Sequence, residues 1–176
     1  MRVIGGEFRS RLLKSLPGLD VRPTPDRLRE ALFNVLAPRI DGVIFADVYA
    51  GTGAVGIEAL SRGAARAIFI EQNRGAIAVI RANLKSLGVE SRAQILQARA
   101  RTALFALRAD IVFLDPPYRL ENEYAAALEA LGARPPSLVI VQHDVRVALP
   151  ESVGRLERTR KLRQSDNVLT FYEPRK

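Results

Sequence analysis

The sequence predicts an α/β protein whose mostly parallel sheet is covered by helices on both faces. Short apolar runs alternate with helical segments along the chain, as successive βαβ units require. One apolar run enters a glycine-rich turn, Gly51-Thr52-Gly53-Ala54-Val55-Gly56, and another ends in Asp115-Pro116-Pro117-Tyr118. Ligands of open α/β sheets bind beyond the carboxyl ends of the strands, so both turns are candidate parts of one site.

The composition indicates a single domain with a strong positive charge. The 176 residues are close to the usual size of one domain, and 48% of them are hydrophobic, which is enough for a substantial core. The net charge is +8, and 23 of the 27 cationic residues are arginines, whose planar guanidinium groups suit phosphate recognition. This excess favours a polyanionic partner such as nucleic acid, and a solvated arginine-rich surface is the alternative.

Residue types that are missing or rare exclude several kinds of site. The chain has no cysteine, which excludes disulfides, thiolate metal sites and a cysteine nucleophile, and His143 is its single histidine, which excludes a histidine-based metal cluster. No apolar run approaches the roughly 18 residues of a membrane span, and the N-terminus lacks the apolar region of a signal peptide. We therefore expect a cytoplasmic protein that holds no metal and contacts no membrane. We also expect it to be a monomer.

Residues 1–22 are predicted to form a basic β-hairpin arm, separate from a main domain over residues 23–176. Two short apolar runs surround Gly5-Gly6, and cationic residues are interleaved with them. A flexible cationic arm can grip the phosphates of a nucleic acid, whereas an ordinary N-terminal extension is the alternative. The candidate nucleic-acid contacts are Arg2, Arg9, Arg11, Lys14 and Arg22.

The remaining elements follow from apolar periodicity and helix-end signals. A helix is predicted with Thr24 as its N-cap and Pro25 at its first position, and Pro38 ends it. The last two strands are predicted to form an antiparallel pair, so that a seven-stranded sheet carries an antiparallel C-terminal strand. The predicted strands cover 43–48, 67–71, 93–97, 111–114, 138–141, 155–163 and 168–172, and the further helices begin at 57 or cover 74–87, 100–107 and 121–131.

The glycine-rich turn is the first candidate site. It follows a strand and precedes a helix, which is the context that makes this motif meaningful, and its glycines let the backbone approach a ligand closely. Glu71 lies 20 residues after Gly51, the usual spacing for an acid that binds ribose hydroxyls. NAD-type dinucleotides and S-adenosylmethionine both fit this pattern. Asp47 enters the turn, where it is unfavourable beside a pyrophosphate but suits a sulfonium, so it favours S-adenosylmethionine.

The Asp-Pro-Pro-Tyr turn is the second candidate site. Pro116 and Pro117 offer no backbone N–H and fix φ, so the chain leaves the sheet in one stiff, extended shape. The Asp115 carboxylate and the Pro116 carbonyl can both accept hydrogen bonds from an exocyclic amino group, and the Tyr118 ring can stack on a planar base. The alternative interpretation is a strand that ends at the prolines and a tyrosine that packs in the core. The glycine-rich turn upstream favours the interpretation of this turn as part of a site.

Taken together, the two motifs resemble those of amino-methyltransferases with the S-adenosylmethionine-dependent Rossmann-like fold. Within that class the chain is similar to the RsmD-like family, guanine-N2 methyltransferases of bacterial small-subunit ribosomal RNA. The resemblance covers nearly the whole chain and implies S-adenosylmethionine as cofactor and ribosomal RNA or the small ribosomal subunit as partner. It rests on Arg-Pro-Thr at 22–24, on residues 29–34, on the glycine-rich turn and its helix at 50–64, and on Phe171-Tyr172-Glu173.

The resemblance also implies roles for single residues. Asp115 and Pro116 would accept hydrogen bonds from the target amine, Pro117 would complete the catalytic turn, and Tyr118 would stack on the base. Glu71 would hold the ribose hydroxyls, and the Arg-Pro-Thr segment would close over the cofactor. The implied cofactor-binding residues are Thr24, Asp47, Ala50, Gly51, Thr52, Gly53, Glu71, Gln72, Arg99 and Ala100.

Two departures from the family pattern and two alternative functions stay open. Such enzymes often carry an acid or amide near the adenine, where this chain has Ala98-Arg99-Ala100, so adenine recognition is expected to rest on the backbone here. After the fifth strand, where the family often shows Glu, this chain has Gln142-His143-Asp144, and we interpret His143 as structural. The alternative functions are a DNA amino-methyltransferase acting on N4 of cytosine or N6 of adenine, and a nucleic-acid-binding module without turnover. The lack of cysteine argues against methylation at cytosine C5.

Overall fold

The computed structural model describes residues 1–16, 25–117 and 121–176, so the predicted roles of Arg22, Thr24 and Tyr118 lie outside the described residues. The helices are α1 (Asp26–Leu36), α2 (Ala54–Ser61), α3 (Arg74–Leu87), α4 (Ala100–Leu104) and α5 (Glu121–Ala133), with a 3₁₀ turn at Glu90–Arg92. The strands are β1 (Ile44–Val48), β2 (Arg66–Glu71), β3 (Ala93–Gln97), β4 (Ile111–Leu114), β5 (Leu138–Asp144), β6 (Ser152–Val153), β7 (Leu156–Gln164) and β8 (Asn167–Pro174).

These strands form one mixed sheet in the order β3-β2-β1-β4-β5-β8-β7-β6. The first five strands in this order are parallel, and β8, β7 and β6 each pair antiparallel with the strand before them. The α/β class, the parallel core and the antiparallel C-terminal strand are confirmed. The predicted count of seven strands is wrong by one, because the two-residue β6 is too short to produce an alternating pattern.

Both faces of the sheet are covered by helices, as predicted. Phe45 of β1 and Phe113 of β4 pack in one apolar cluster with α1, whereas Ala46 and Val112 pack on the opposite face in a cluster with α5. All four residues are buried. Because successive side chains of a strand point to opposite faces, a parallel strand buried on both sides reads as a continuous apolar run.

Helix boundaries differ from the predicted ones where tertiary contacts decide. The helix α1 begins at Asp26 with Pro25, not Thr24, at the N-cap position. The helix α5 continues through Gly132 instead of ending there, because this glycine is where β6 approaches the helix. An added Cβ at Gly132 would lie 2.6 Å from the carbonyl oxygen of Val153. Residues 74–87 form α3 as predicted, and Gly88 follows them with φ 69°.

The N-terminal residues 1–16 form a hairpin-like loop with an antiparallel bridge between Arg2 and Leu12, here called the N-terminal loop. The loop is not a free arm, because Val3, Phe8 and Leu13 are buried in an apolar cluster with α2 and α3. The predicted boundary between this segment and the main domain lies outside the described residues and stays a prediction.

A buried carboxylate attaches the N-terminal loop to the domain. Glu58, which is fully buried in α2, accepts hydrogen bonds from the backbone nitrogens of Ile4 at 2.8 Å and Gly5 at 2.9 Å. The same carboxylate accepts from Arg62 Nε at 2.8 Å and lies 3.8 Å from Nε of the fully buried Arg29. A buried charge is stable only when it is paired and hydrogen-bonded, so these four groups depend on one another.

We expect Glu58→Ala to lower the free energy of unfolding by about 3–5 kcal/mol, because it leaves the buried Arg29 without this counter-charge and two backbone N–H groups without their acceptor. Glu173→Ala is the matched control, since Glu173 pairs with Arg39 at 2.6 Å but both side chains are about 40% exposed. That loss should stay below about 1 kcal/mol. Denaturant unfolding of both variants is the measurement, and similar losses would contradict the role given to Glu58.

Candidate active site

The candidate site lies where the strand order reverses, between β1 and β4. These strands are adjacent and parallel, with Val48 opposite Leu114, and the chain continues from β1 towards one edge of the sheet and from β4 towards the other. Asp115 N donates to the Val48 carbonyl at 3.4 Å. The glycine loop (residues 50–56) and the proline turn (residues 115–117) therefore leave neighbouring strands at the topological switch point, where ligands of such sheets bind.

Two glycines of the glycine loop are required for different physical reasons. Gly53 has φ 79° and ends a tight turn, in which its backbone nitrogen donates to Ala50 at 2.8 Å. Gly56 has no room for a side chain, because an added Cβ would lie 2.4 Å from the Phe69 ring. The loop thus turns sharply and lets α2 pack closely on β2.

Asp47 links β1 to the start of α2. Its side chain is buried, and Oδ2 accepts a hydrogen bond from Gly56 N at 2.8 Å. Burial raises the pKa of this carboxyl well above its usual value, the Gly56 hydrogen bond opposes the rise, and the charges of Asp115 and Glu71 add to it. All three carboxylates lie at the carboxyl ends of neighbouring parallel strands, β1, β2 and β4.

Glu71 fixes the end of β2 to the glycine loop. Its Oε2 accepts from Gly51 N at 2.9 Å, and its Oε1 accepts from Gln72 N and Asn73 N at 2.8 Å each. Both oxygens are held by backbone donors, so the orientation of the carboxylate is fixed. A carboxylate offers about four acceptor positions, and three are occupied here, which leaves about one for a ribose hydroxyl.

Asp115 is partly buried at the carboxyl end of β4, and burial raises its pKa to about 7. Within the described ranges, no arginine or lysine forms an ion pair with Asp47, Glu71 or Asp115. The described part of the chain also holds no group of three acidic or histidine side chains that could bind a metal ion. Among the described residues the acids of this edge have no cationic ion-pair partner, and a cationic ligand would supply one.

The other predicted cofactor residues lie along the same edge, at the ends of β1, β2 and β3. Ala50 is buried and Thr52 half-buried in the glycine loop, and Gln72 is exposed just after β2. Arg99 is exposed at the N-cap of α4, and Ala100, the first residue of that helix, is buried. Their roles in cofactor binding stay predictions.

The four described cations of the predicted arm, Arg2, Arg9, Arg11 and Lys14, are all exposed on the N-terminal loop. Arg11 Nη2 donates to the Ser86 carbonyl at 2.7 Å, which holds one side of the loop against α3. These positions are compatible with phosphate contacts, and the role itself stays a prediction.

Comparisons with known proteins agree with the geometry. The family model described as "Conserved hypothetical protein 95" matches residues 1–173. The chain is 39% identical to "Ribosomal RNA small subunit methyltransferase D" of Escherichia coli K12, over 85% of this chain and 78% of that protein. It is 37% identical to "Putative rRNA methyltransferase YlbH" of Bacillus subtilis, over 99% of this chain and all of that protein. The chain belongs to the RsmD-like family.

Solved structures with the same fold include "Putative methyltransferase yhhF from Escherichia coli", with a TM-score of 0.86, 34% identity, and coverage of 99% of this chain and 97% of that one. An RNA methyltransferase from Salinibacter ruber in complex with S-adenosyl-L-homocysteine has a TM-score of 0.68 at 19% identity, covers 88% of this chain and 95% of that one, and shares the fold. The predicted RsmD-like family and the Rossmann-like methyltransferase fold are thereby confirmed.

Two residues of this RsmD-like chain matter to the site and were missed by the sequence analysis. Tyr49 has φ 64°, which is strained for a residue with a side chain, and its hydroxyl donates to Glu123 Oε2 of α5 at 2.7 Å. Asn83 is buried in α3, accepts from Lys14 N at 2.7 Å, and donates to the Lys14 carbonyl at 3.1 Å and the Thr52 carbonyl at 3.2 Å. The sequence offered one signal for Asn83, because a polar residue on the apolar face of α3 indicates a buried hydrogen-bonding role. Nothing in the sequence indicated the conformation of Tyr49.

The position of His143 also needs correction. It lies within β5, not after it, with Nε2 at 2.8 Å from Thr170 Oγ1 and Nδ1 at 2.8 Å from the Asp144 carbonyl oxygen. The ring meets Tyr124 edge-on, and burial lowers the pKa of the imidazole. These contacts agree with a structural role.

In the ranges that the structure covers, none of the helices has the length and apolarity needed to cross a bilayer. The predicted cytoplasmic location and the monomeric state stay predictions.

We expect Asp115→Asn to raise the melting temperature by about 5 °C at pH 8, and the difference to shrink towards pH 4. In the parent protein the pKa of Asp115 is about 7 in the folded state, which lies above the value in the unfolded chain. The native state therefore loses stability as the pH rises from 4 to 7 and this carboxyl group ionises. The amide removes that cost. Thermal unfolding across this pH range is the measurement, with the exposed Asp41→Asn as control. A variant that is less stable than the parent at pH 8 would contradict the environment described for Asp115.

Proposed function

We propose that this protein methylates the N2 amino group of a guanine in small-subunit ribosomal RNA. The coarser part of this statement, an S-adenosylmethionine-dependent ribosomal RNA methyltransferase, follows from the family, since relatives that align over most of the chain carry that name. The finer part, the guanine and its N2 atom, rests on the resemblance to the RsmD-like family. The names of the relatives favour RNA over DNA, so the alternative of a DNA amino-methyltransferase is not favoured.

The observation that supports the proposal best is the set of carboxylates at the switch point that form no ion pair with an arginine or lysine of the described residues. Ionising these carboxylates is unfavourable because they are partly or fully buried and repel one another: Asp47, Glu71 and Asp115. A ligand with a sulfonium and an ammonium group makes the ionised forms more favourable. When bound, S-adenosylmethionine supplies an electrophilic methyl group on that sulfonium. Glu71 is placed to accept from ribose hydroxyls, and the glycine loop leaves room for the close approach of the ligand.

The proline turn is the part of the site that fits an exocyclic amine. Asp115 offers a carboxylate and Pro116 a carbonyl on a stretch whose φ angles are fixed by two prolines, so the acceptors are held in place before the substrate arrives. The amine nitrogen gains a bond to carbon and must lose a proton. Asp115, with a pKa near 7, can hold that proton, and a nearby cationic ligand favours the ionised carboxylate that accepts it.

The contact of Tyr49 with Glu123 links the two halves of the site, in addition to the pairing of β1 with β4. Tyr49 lies between β1 and the glycine loop, and Glu123 lies in the first turn of α5, which follows the proline turn. The 2.7 Å hydrogen bond therefore joins the cofactor side to the amine side. Methyl transfer needs the nitrogen, carbon and sulfur in line at close range, so a fixed distance contributes directly to the rate.

Nucleoside mass spectrometry tests the proposed reaction. Small ribosomal subunits from cells lacking the gene are incubated with the protein and S-adenosylmethionine, and their RNA is digested to nucleosides. We expect N2-methylguanosine to form, and the rate with Asp115→Asn to fall by at least about 100-fold while that variant stays folded. N6-methyladenosine or N4-methylcytidine would overturn the guanine assignment. Methylation of duplex DNA but not of subunits would overturn the RNA assignment.

Tyr49→Phe tests the link between the two halves of the site. We expect turnover to fall about tenfold because the amine side is held less rigidly against the cofactor side, with a change of less than about threefold in the cofactor dissociation constant. Tyr172→Phe is the matched control, since it removes a hydroxyl that also donates over 2.7 Å, to the Pro150 carbonyl, in a part of the sheet away from the glycine loop. Equal losses of turnover in both variants would show a general effect of stability.

A further inference from the structure

The strand β7 carries a second group of cations, which the analysis of the sequence did not assign to any role. Arg158, Arg160, Lys161 and Arg163 all lie on this strand. Arg158 is partly buried and pairs with Glu151 at 2.8 Å. The other three are exposed, and no carboxylate of the described residues lies within ion-pair distance of them. Their charges are thus not neutralised by an ion pair within this part of the chain.

The register of the sheet places these cations level with the proline turn. Leu114 of β4 is opposite Val141, Val141 is opposite Thr170, and Thr170 is opposite Lys161. Since Leu114 immediately precedes Asp115, Lys161 lies in the same row of the sheet as the end of β4. Three strand spacings separate the two, which is about 14 Å. Arg163 lies two residues further along β7, towards the carboxyl edge of the parallel strands.

Lys161 and Arg163 share the face of the sheet that α5 covers. Leu162, between them, packs in the cluster of the opposite face with α1. Lys161 is also close enough to the buried His143 to lower the pKa of that imidazole, and His143 meets Tyr124 of α5. Arg163 Nε donates to the Ser165 carbonyl at 2.9 Å, and the side chain stays exposed at the turn into β8.

The N-terminal loop lies on the other side of the same edge. Lys14 is attached through Asn83 to the carbonyl of Thr52 in the glycine loop. The exposed residue Lys14 therefore lies beside the glycine loop, on the cofactor side of the site. Lys161 and Arg163 lie beyond the proline turn, on the amine side. A polyanion that crosses the carboxyl edge of the sheet meets cations at both ends.

We propose that Lys161 and Arg163 form a second docking surface for the phosphates of the RNA substrate, so that the RNA is held on both sides of the proline turn. This inference rests on the proposed function, because it assigns a further contact to the same substrate. Phosphate contacts fix the position of an RNA without reading its sequence, which is what a target base needs in order to face Asp115. The chemistry required of the partner is a row of phosphates, and RNA supplies it.

A different role for these cations is the protection of a sheet edge. Within the described residues β7 pairs with β6 only at Leu156 and Glu157, so the rest of its outer side is a free edge. Charged residues on such an edge prevent pairing with strands of other molecules. Edge protection requires charge anywhere along β7, whereas RNA docking requires it at the level of the proline turn.

The test compares the salt dependence of RNA binding for two double variants that remove the same charge from the same ribbon. Lys161→Gln with Arg163→Gln removes two cations at the carboxyl edge. Arg175→Gln with Lys176→Gln, the control, removes two exposed cations at the opposite end, just after Pro174, which pairs with Leu156. The dissociation constants for unmethylated small subunits and for protein-free small-subunit RNA are measured between about 50 and 200 mM salt.

We expect the slope of log affinity against log salt to fall by about 1.4–1.8 in the first variant, because each lost phosphate contact contributes about 0.7–0.9, and to stay unchanged in the control. The cofactor dissociation constant and the melting temperature should equal those of the parent. An unchanged slope, with or without self-association in light scattering, overturns the proposal. A slope that changes with subunits but not with protein-free RNA assigns the surface to a subunit protein and also overturns it. If the parent protein methylates no RNA, the proposed function fails separately.

Discussion

The parallel pairing of β1 with β4 is the constraint on which the candidate site depends. The pairing of Val48 with Leu114 brings together two chain segments that are more than sixty residues apart and ends both strands at the same level. Everything that follows these strands, the glycine loop on one side and the proline turn on the other, is then within reach of one ligand. The same pairing buries Phe45 and Phe113 on one face and Ala46 and Val112 on the other, so the core and the site are built by one set of contacts.

The N-terminal loop is joined to the crevice by polar groups that are buried, not by surface contacts. Glu58 holds the backbone of Ile4 and Gly5, and Asn83 holds the backbone of Lys14 together with that of Thr52. A buried carboxylate or amide that loses a partner is left unsatisfied, which costs more than an exposed contact does. The position of the loop is therefore coupled to the position of the glycine loop through Asn83.

The parts of the fold that the sequence predicted are those in which local pattern and tertiary contact agree. The strand β3 and the helix α3 have their predicted ends, since apolar periodicity and Gly88 are local signals. The helix α2 begins at Ala54, three residues before the predicted start, because Gly53 turns the chain and Asp47 accepts from Gly56 N. The strand β5 continues through Gln142 and His143, where polar residues suggested an end, because β8 pairs with it and Thr170 binds the imidazole. Contacts between residues that are distant in the chain do not change the local pattern of apolar and polar residues, so this pattern could not predict them.

The candidate site shows the same division. The glycine loop and the proline turn are motifs of consecutive residues, so the sequence alone indicated Asp47, Glu71 and Asp115, and their positions agree with the motif. Tyr49 and Asn83 gain their importance from contacts with Glu123 and Lys14, which lie about seventy residues away in the chain. The buried ion pair of Glu58 with Arg29 likewise joins two helices, α2 and α1. The sequence of neither helix indicates that the two side chains meet.

The arrangement of charge explains how a basic protein holds an acidic centre. The acids at the switch point form no ion pair with the cations of the described residues, although the net charge of the chain is +8. Lys161, in the row of Leu114, is about 14 Å from the end of β4, which exceeds the Debye length of about 8 Å at physiological salt. Exposed cations at that distance attract a polyanion without neutralising the buried carboxylates. We therefore expect the centre to favour a cationic ligand and the cations on the two sides of the edge to attract phosphates, so that one sheet edge accommodates two partners of opposite charge.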